Sequence, residues 1–239
     1  MTHRVAMWSG PRNLSTAMMR SFGNRADCTV VDEPLYAAYL ADTGLDHPGR
    51  DDVIASQPTD WREVCAELSE GPVPTPLQYQ KHMTHHLLPG IDRDALAGLD
   101  HAFLLRDPER VLTSYAKVRE EPTLEDLGLP QQVELFERYG GPVVDAADVL
   151  RDPAATLRLL CEALGIEFDE AMLAWPAGPR DTDGVWAPHW YAGVEASTGF
   201  APYSPGSGDP LPDHLRPLLE RCRPYYDALA AYRLRPEEN

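Results

Sequence analysis

A chain of 239 residues with 43% hydrophobic content is long enough to bury a substantial single core, and it carries a formal net charge of −17. That acidity excludes nucleic acid and anionic membrane as partners, since both need a basic footprint, and an anionic ligand would require a local positive site. The four cysteines, Cys28, Cys65, Cys161 and Cys222, form no CxxC pair. This spacing is neither a disulfide framework nor a zinc site, and it suits a reducing compartment. No apolar run approaches the length of a membrane span, and the first strand begins by residue 4 or 5, leaving no room for a signal peptide. The expected location is cytoplasmic.

In chain order, "RVAMWS", "CTVVDE", "LQYQKHM", "HAFLLR" and "GPVVDA" are β-rich runs. Between them, Ser15 to Asn24, Asp60 to Leu68, Asp92 to Leu99 and Pro108 to Arg119 carry helix signals. Alternation of this kind predicts an α/β fold, a three-layer α/β/α arrangement with a central parallel sheet of about five strands. Asp107 before Pro108 is an N-cap and first-turn pair, and "DPAATLRLLCEALGI" reads as another capped helix from Asp152 to Leu164.

From Gly165 the pattern breaks. Residues 175 to 212 are rich in Pro, Gly and aromatics without a steady period, which predicts a long loop or lid. Its concentration of Trp175, Trp186, Trp190, Tyr191, Phe200 and Tyr203 favours order over disorder. A final helix is expected from Asp213 to Ala231. One domain is expected over residues 1–239: a nucleotide-binding core over 1–168, then an aromatic-rich lid and a C-terminal helix over 169–239.

The stretch "VAMWSGPRNLSTAMM" places a strand, a tight turn and a helix start in succession, so backbone N–H groups and the positive end of a helix dipole converge on one point. That is an anion site in design. It is not the ATPase loop G-x-x-x-x-G-K-[ST]: counting from Gly10, the second Gly falls on Ser15 and the Lys on Thr16. The cation sits instead in the turn, at Arg12, and Ser15-Thr16 keeps the hydroxyl pair. The competing reading is a plain strand-to-helix turn with Asn13 as a helix cap.

In "LLRDPERVLTSYAKV", Arg106 ends a strand and Ser114 lies eight positions on, two turns into the next helix. A guanidinium and a hydroxyl at the sheet's carboxyl edge can grip a phosphate monoester, away from the first loop. The alternatives are a surface ion pair of Arg106 with Asp107 or Glu109, and a helix-face hydroxyl at Ser114.

Together "GPRNLSTAMM" and "RDPERVLTSY" resemble the sulfotransferases that use 3'-phosphoadenosine 5'-phosphosulfate (PAPS), a family with a P-loop-containing nucleotide-binding fold. The resemblance extends through "VVDAADVLRDPAATLRLLCEALGI" to about residue 168. It implies that Ser9, Gly10, Pro11, Arg12, Asn13, Leu14, Ser15 and Thr16 hold the 5'-phosphosulfate and that Arg106 and Ser114 hold the 3'-phosphate. Asn13-Leu14 departs from the family's small, Gly-containing turn, and Asp145-Ala146-Ala147-Asp148 from its Arg-Tyr-Glu-Asp.

Sulfuryl transfer needs positioning and charge stabilisation at the departing oxygen more than covalent help, and Arg12 is placed to supply the cation. No metal is implied, because the transferred group carries less charge than a phosphoryl and needs no bridging Mg²⁺. A base is needed for the acceptor. Glu33, past the second strand, resembles the catalytic Glu of bacterial and carbohydrate sulfotransferases. Lys81, His82, His85 and His86 fall where the cytosolic enzymes carry a Lys and a catalytic His. Glu33 and His85 rank equally and His82 behind them. Asp32-Glu33-Pro34 as a helix cap and the histidines as a solvated turn are the competing readings.

The segment 183–200 follows the core as the family's cofactor-closing loop does, with Arg180 and Gly184 as a loose match to its Arg/Lys and Gly, and a tail packed on the core is its plainer reading. The implied reaction is sulfuryl transfer to a hydroxyl, amine or phenol of a small molecule, with selectivity in residues 40 to 60 and 175 to 212, and a homodimer is compatible. The rivals are a kinase-like enzyme using ATP and Mg²⁺, with Asp32 or Asp107 on the metal, and a sulfotransferase fold without turnover.

Overall fold

The computed structural model describes residues 2–117, 121–205 and 209–236. Five strands, β1 (His3–Ser9), β2 (Cys28–Asp32), β3 (Leu77–Met83), β4 (Asp100–Leu105) and β5 (Val143–Asp145), form one all-parallel sheet in the order β2-β3-β1-β4-β5. The strand order reverses around β1, so the crevice for a ligand opens at the carboxyl ends of β1, β3 and β4.

Alternation along each strand loads the two faces. Val5, Met7, Tyr79, Leu104 and Val144 pack on one side with Met18, Phe22, Leu157 and Leu160. These come from α1 (Ser15–Gly23) and, further along, a helix over Pro153–Ala163. Ala6, Trp8, Phe103 and Leu105 pack on the other side with Val64, Leu68 and Leu135. β3 is buried at all seven positions, so its Gln80, Lys81 and His82 must find partners inside the protein.

Between β2 and β3 the chain forms α2 (Tyr36–Thr43), α3 (Arg50–Ser56) and α4 (Trp61–Glu70), the last capped by Asp60, whose carboxylate accepts from the Arg62 N–H. The selectivity segment expected over 40 to 60 thus holds the end of α2 and all of α3. α2 is buried from Tyr36 to Leu40 and so has no polar face to give a readable period.

The helix expected over Asp92–Leu99 is only a 3₁₀ turn, Arg93–Leu96. After β4 come α5 (Pro108–Tyr115), α6 (Leu124–Leu127) and α7 (Leu129–Tyr139). α5 stops short of the expected Arg119, and 118–120 lie outside the described residues. β5 leads into α8 (Ala146–Arg151) and α9 (Pro153–Ala163), capped by Asp145 and Asp152. α10 (Ala187–Trp190) and α11 (Ala192–Glu195) break the aromatic segment, and α12 (Arg216–Ala230) follows a 3₁₀ turn at Asp213–Leu215.

Gly128, between α6 and α7, has φ +68, and a Cβ there would run into Thr84 Oγ1 and lie 2.8 Å from the His85 nitrogen. Gly128→Ala is therefore expected to lower stability by about 1–3 kcal/mol, read as a lower denaturant midpoint.

The four cysteines are buried and free, and burial pushes the Cys28 thiol up to about 12 and the other three to about 11. Among the described residues no helix is long and apolar enough to cross a membrane.

Candidate active site

β1 delivers the first loop to the crevice. Ser9 is fully buried and turned inward, 3.5 Å from the His82 carbonyl, and a Cβ at Gly10 would collide with the Leu127 carbonyl. These two residues shape the turn from behind. Pro11 to Ala17 line a cavity of about 710 Å³. Asn13 does not cap the helix: its Nδ2 donates to the Leu104 carbonyl at 2.9 Å and its Oδ1 accepts from the Leu14 N–H at 2.8 Å, tying the loop to the end of β4. α1 has no side-chain cap, and Ser15 and Thr16 of its first turn line the cavity.

The second motif joins the first. Arg106 donates from Nη1 to the Arg12 carbonyl at 2.6 Å, and Arg12 Nε donates to Ser114 Oγ at 3.0 Å. The expectation that Arg106 and Ser114 lie away from the first loop is corrected. β1 and β4 are neighbours in the sheet, so the loops at their carboxyl ends converge. The ion-pair alternative for Arg106 fails because Asp107 and Glu109 are engaged elsewhere: Asp107 caps α5 through the Glu109 N–H and accepts from Arg223 at 2.8 Å, and Glu109 pairs with Arg223 at 3.6 Å. Burial, with Arg110 and Arg12 alongside, holds the Arg106 guanidinium below its usual pKa. Cations crowded in this way favour an anion among them.

On the far side of β1, register makes the charged centre. Asp32 is paired across the β2–β3 ladder with Lys81, so both project from one face at one level. Lys81 Nζ donates to Asp32 Oδ1 at 2.9 Å and to Glu33 Oε1 at 2.6 Å. Glu33 has φ +39 and its N–H continues the ladder to the Lys81 carbonyl at 2.9 Å. That strained conformation turns the carboxylate into the cavity instead of serving as a helix cap. Burial is the main influence on Glu33 and pushes its carboxyl up; Lys81 opposes it and Asp32 adds to it.

The histidines separate. His82 alternates to the opposite face, stacks on Trp8 at 4.2 Å and meets Gln80 Oε1 at 3.1 Å, and burial with nearby His101 pushes it down to about 3. It does not reach the cavity, which removes it as a base. His85 and His86 line the cavity. His86 Nε2 lies 3.9 Å from Glu33 Oε2, its ring stacks on Tyr36 and Tyr39, and burial with neighbouring cations and histidines holds it well below its usual pKa. Among the described residues no group of three or more His, Cys, Asp or Glu is arranged to hold a metal ion.

Trp190, Tyr191, Val194 and Phe200 form the last wall. Their segment is tied down by Asp183, which pairs with buried Arg20 of α1 at 2.5 and 2.7 Å, and by the Gly184 N–H, which donates to Asp32 Oδ2 at 3.1 Å. Arg180 turns away, donating to the Pro176 carbonyl at 3.0 Å, so the expected Arg180–Gly184 cofactor clasp is not formed. Sequence reasoning passed over Asp32 and Tyr191 as members of one site. They are 159 residues apart, and only the β2–β3 register hints at the first.

The family model described as Sulfotransferase domain matches residues 3–233. The chain belongs to the sulfotransferase-domain family. The fold of this sulfotransferase-family chain is similar to that of the sulfotransferase domain of the Synechococcus PCC 7002 olefin synthase, with TM-score 0.59, 18% identity and coverage of 98% of this chain and 97% of that one. The sulfotransferase from Alicyclobacillus acidocaldarius superposes with TM-score 0.56 at 14% identity, covering 97% and 95%. Two Arabidopsis thaliana relatives, branched-chain-amino-acid aminotransferase-like proteins 1 and 2, are 40% and 38% identical over 234 residues, 95% of this chain. The chain spans 42% and 41% of their lengths, so those names describe chains more than twice as long.

Proposed function

We propose that the protein transfers a sulfuryl group from PAPS to a hydroxyl or amine of a small molecule. The observation that carries this reading is one cavity with two chemically distinct ends. Arg12, Arg106, Ser114 and the open start of α1 form a cationic end, and Glu33, Lys81 and His85 form a basic end. A cavity of about 710 Å³ suits small-molecule reactants.

In the proposed reaction Glu33 takes the proton of the acceptor hydroxyl as its oxygen bonds to sulfur. The sulfur–oxygen bond to the phosphate breaks, its electron pair leaves on 3'-phosphoadenosine 5'-phosphate, and Arg12 with the N–H groups of α1 stabilises that developing charge. Ser15 and Thr16 donate to the 5'-phosphate and Arg106 with Ser114 to the 3'-phosphate. The raised Glu33 carboxyl makes it the stronger candidate base, with His85 on the same wall as the second.

Calorimetric titration with 3'-phosphoadenosine 5'-phosphate, beside ATP with Mg²⁺, tests the reading. Binding of the former alone is expected. Arg106→Ala is expected to weaken it about tenfold to a hundredfold, the loss of hydrogen bonds to a charged group. Preference for ATP with Mg²⁺ would support a kinase-like enzyme, and unchanged affinity in Arg106→Ala would remove that residue from the 3'-phosphate.

A further inference from the structure

Lys81 has three N–H groups and three partners: Asp32 Oδ1 at 2.9 Å, Glu33 Oε1 at 2.6 Å and Tyr191 OH at 2.5 Å. Tyr191 is equally committed. Its oxygen accepts from Lys81 and from Trp186 Nε1 at 3.1 Å, and its one proton goes to the Asp32 carboxylate, 2.7 and 2.8 Å away. Asp32 Oδ2 also accepts from the Gly184 N–H. Asp32, Lys81, Trp186 and Tyr191 are all buried, and every donor in this network is used.

We propose that Tyr191, delivered by the C-terminal aromatic segment, is a positioning residue that closes a clamp with Asp32 around Lys81, and that the clamp fixes Glu33 and sets its basicity. Lys81 is then a positioning residue as well. With no N–H left over it holds one Glu33 oxygen and does not touch the transferred group, which corrects its expected place among the residues acting directly. Oε2, the Glu33 oxygen not bonded to Lys81, is the one available to an acceptor proton. This last step rests on the reading of Glu33 as base; the clamp itself does not.

The charge balance gives the clamp its effect. Two carboxylates share one ammonium, so one negative charge is in surplus, and Glu33 is the carboxylate whose affinity for a proton rises. The other groups around Glu33 are Tyr36 of α2, His47 beyond it, His85 and His86 of the turn after β3, and Tyr191. Among them burial holds the His86 imidazole well below its ordinary pKa, and Lys81 is the one lysine at the cavity.

The chain has only two lysines, Lys81 and Lys117, so protein labelled with ¹⁵N at lysine Nζ gives two side-chain signals. Lys117 is exposed at 61% of its side chain and serves as the internal reference. Lys81 is expected as a slowly exchanging ammonium whose shift steps with pH, the step being absent in Glu33→Gln. Tyr191→Phe, which deletes one oxygen, should speed its hydrogen exchange at least about tenfold, because one N–H loses its acceptor. Asp32→Asn should move the step to lower pH by about one unit, since a like charge is gone.

The acid limb of PAPS turnover with water as acceptor should move with that step, whereas a merely structural role would lower turnover at every pH without moving it. Unchanged exchange in Tyr191→Phe, or an unmoved limb in both variants, overturns the clamp. If Asp32→Asn does not fold, Tyr191→Phe alone decides. Because the spectrum needs no donor, a failed clamp with intact binding of 3'-phosphoadenosine 5'-phosphate leaves the sulfuryl-transfer reading standing, and the reverse result leaves the clamp standing.

Discussion

Glu33→Gln is expected to reduce turnover about 10²- to 10⁴-fold, the range for loss of a general base, while leaving affinity for 3'-phosphoadenosine 5'-phosphate within about twofold. The substitution keeps the side chain's shape and one oxygen to accept from Lys81 Nζ, so the folded site survives and the loss isolates proton transfer. The proposed donor grip lies across β1 at Arg12, Arg106 and Ser114, which is why binding should not change. His85→Ala should cost less, since Glu33 is the carboxylate that burial raises and that Lys81 holds at the cavity. Turnover in the native protein should fall as pH drops through the Glu33 carboxyl. Burial has pushed that group above its ordinary 4.5, so the acid limb should lie above that value. Full turnover in both Glu33→Gln and His85→Ala would show that neither is the base.

The second large effect is expected at Arg12. Arg12→Ala should lower turnover about 10²- to 10³-fold, comparable to removing one preorganised donor to a developing oxyanion. The effect on donor affinity should be smaller, because in the proposed binding mode the first-turn N–H groups of α1 and Arg106 would still hold the two phosphates. Arg12→Lys should recover little. The guanidinium donates from Nε to Ser114 at 3.0 Å and keeps its remaining N–H groups for the cavity, and an ammonium cannot reproduce that fork. Measuring turnover and binding on the same preparations separates the effects. Weaker binding with turnover at saturating donor unchanged would place Arg12 in ground-state binding alone.

Much of the site was legible because its residues lie at strand ends. The chain alternates strand and helix closely enough that Arg12, Glu33, Lys81 and Arg106 each fall at the close of a β-run, and a parallel sheet brings such ends to one edge. What could not be read was the third dimension of each strand. His82 and Lys81 are adjacent in sequence, and only the alternation fixed by packing sends Lys81 to the cavity and His82 against Trp8. Arg106 and Arg12 were expected at separate subsites because their spacing in sequence says nothing of β1 and β4 being neighbours. α2 hid because it is apolar on all sides from Tyr36 to Leu40. Tyr191 lies in a stretch without period, held by single contacts such as Asp183 with Arg20, and no local pattern announces a contact of that kind.

Among the described residues, Arg12 and Glu33 are the only two non-glycine positions with positive φ, +55 and +39. Both stand at the cavity, at opposite ends of the proposed reaction. Each conformation costs the fold on the order of 1 kcal/mol or more, which glycine would relieve. A library of variants selected for folding alone should therefore drift toward glycine or asparagine at these two positions. It would yield proteins that survive heating better and have lost the cation and the carboxylate together. Thermal robustness and turnover pull in opposite directions here, and engineering for durability must hold 12 and 33 fixed and look for its gains elsewhere.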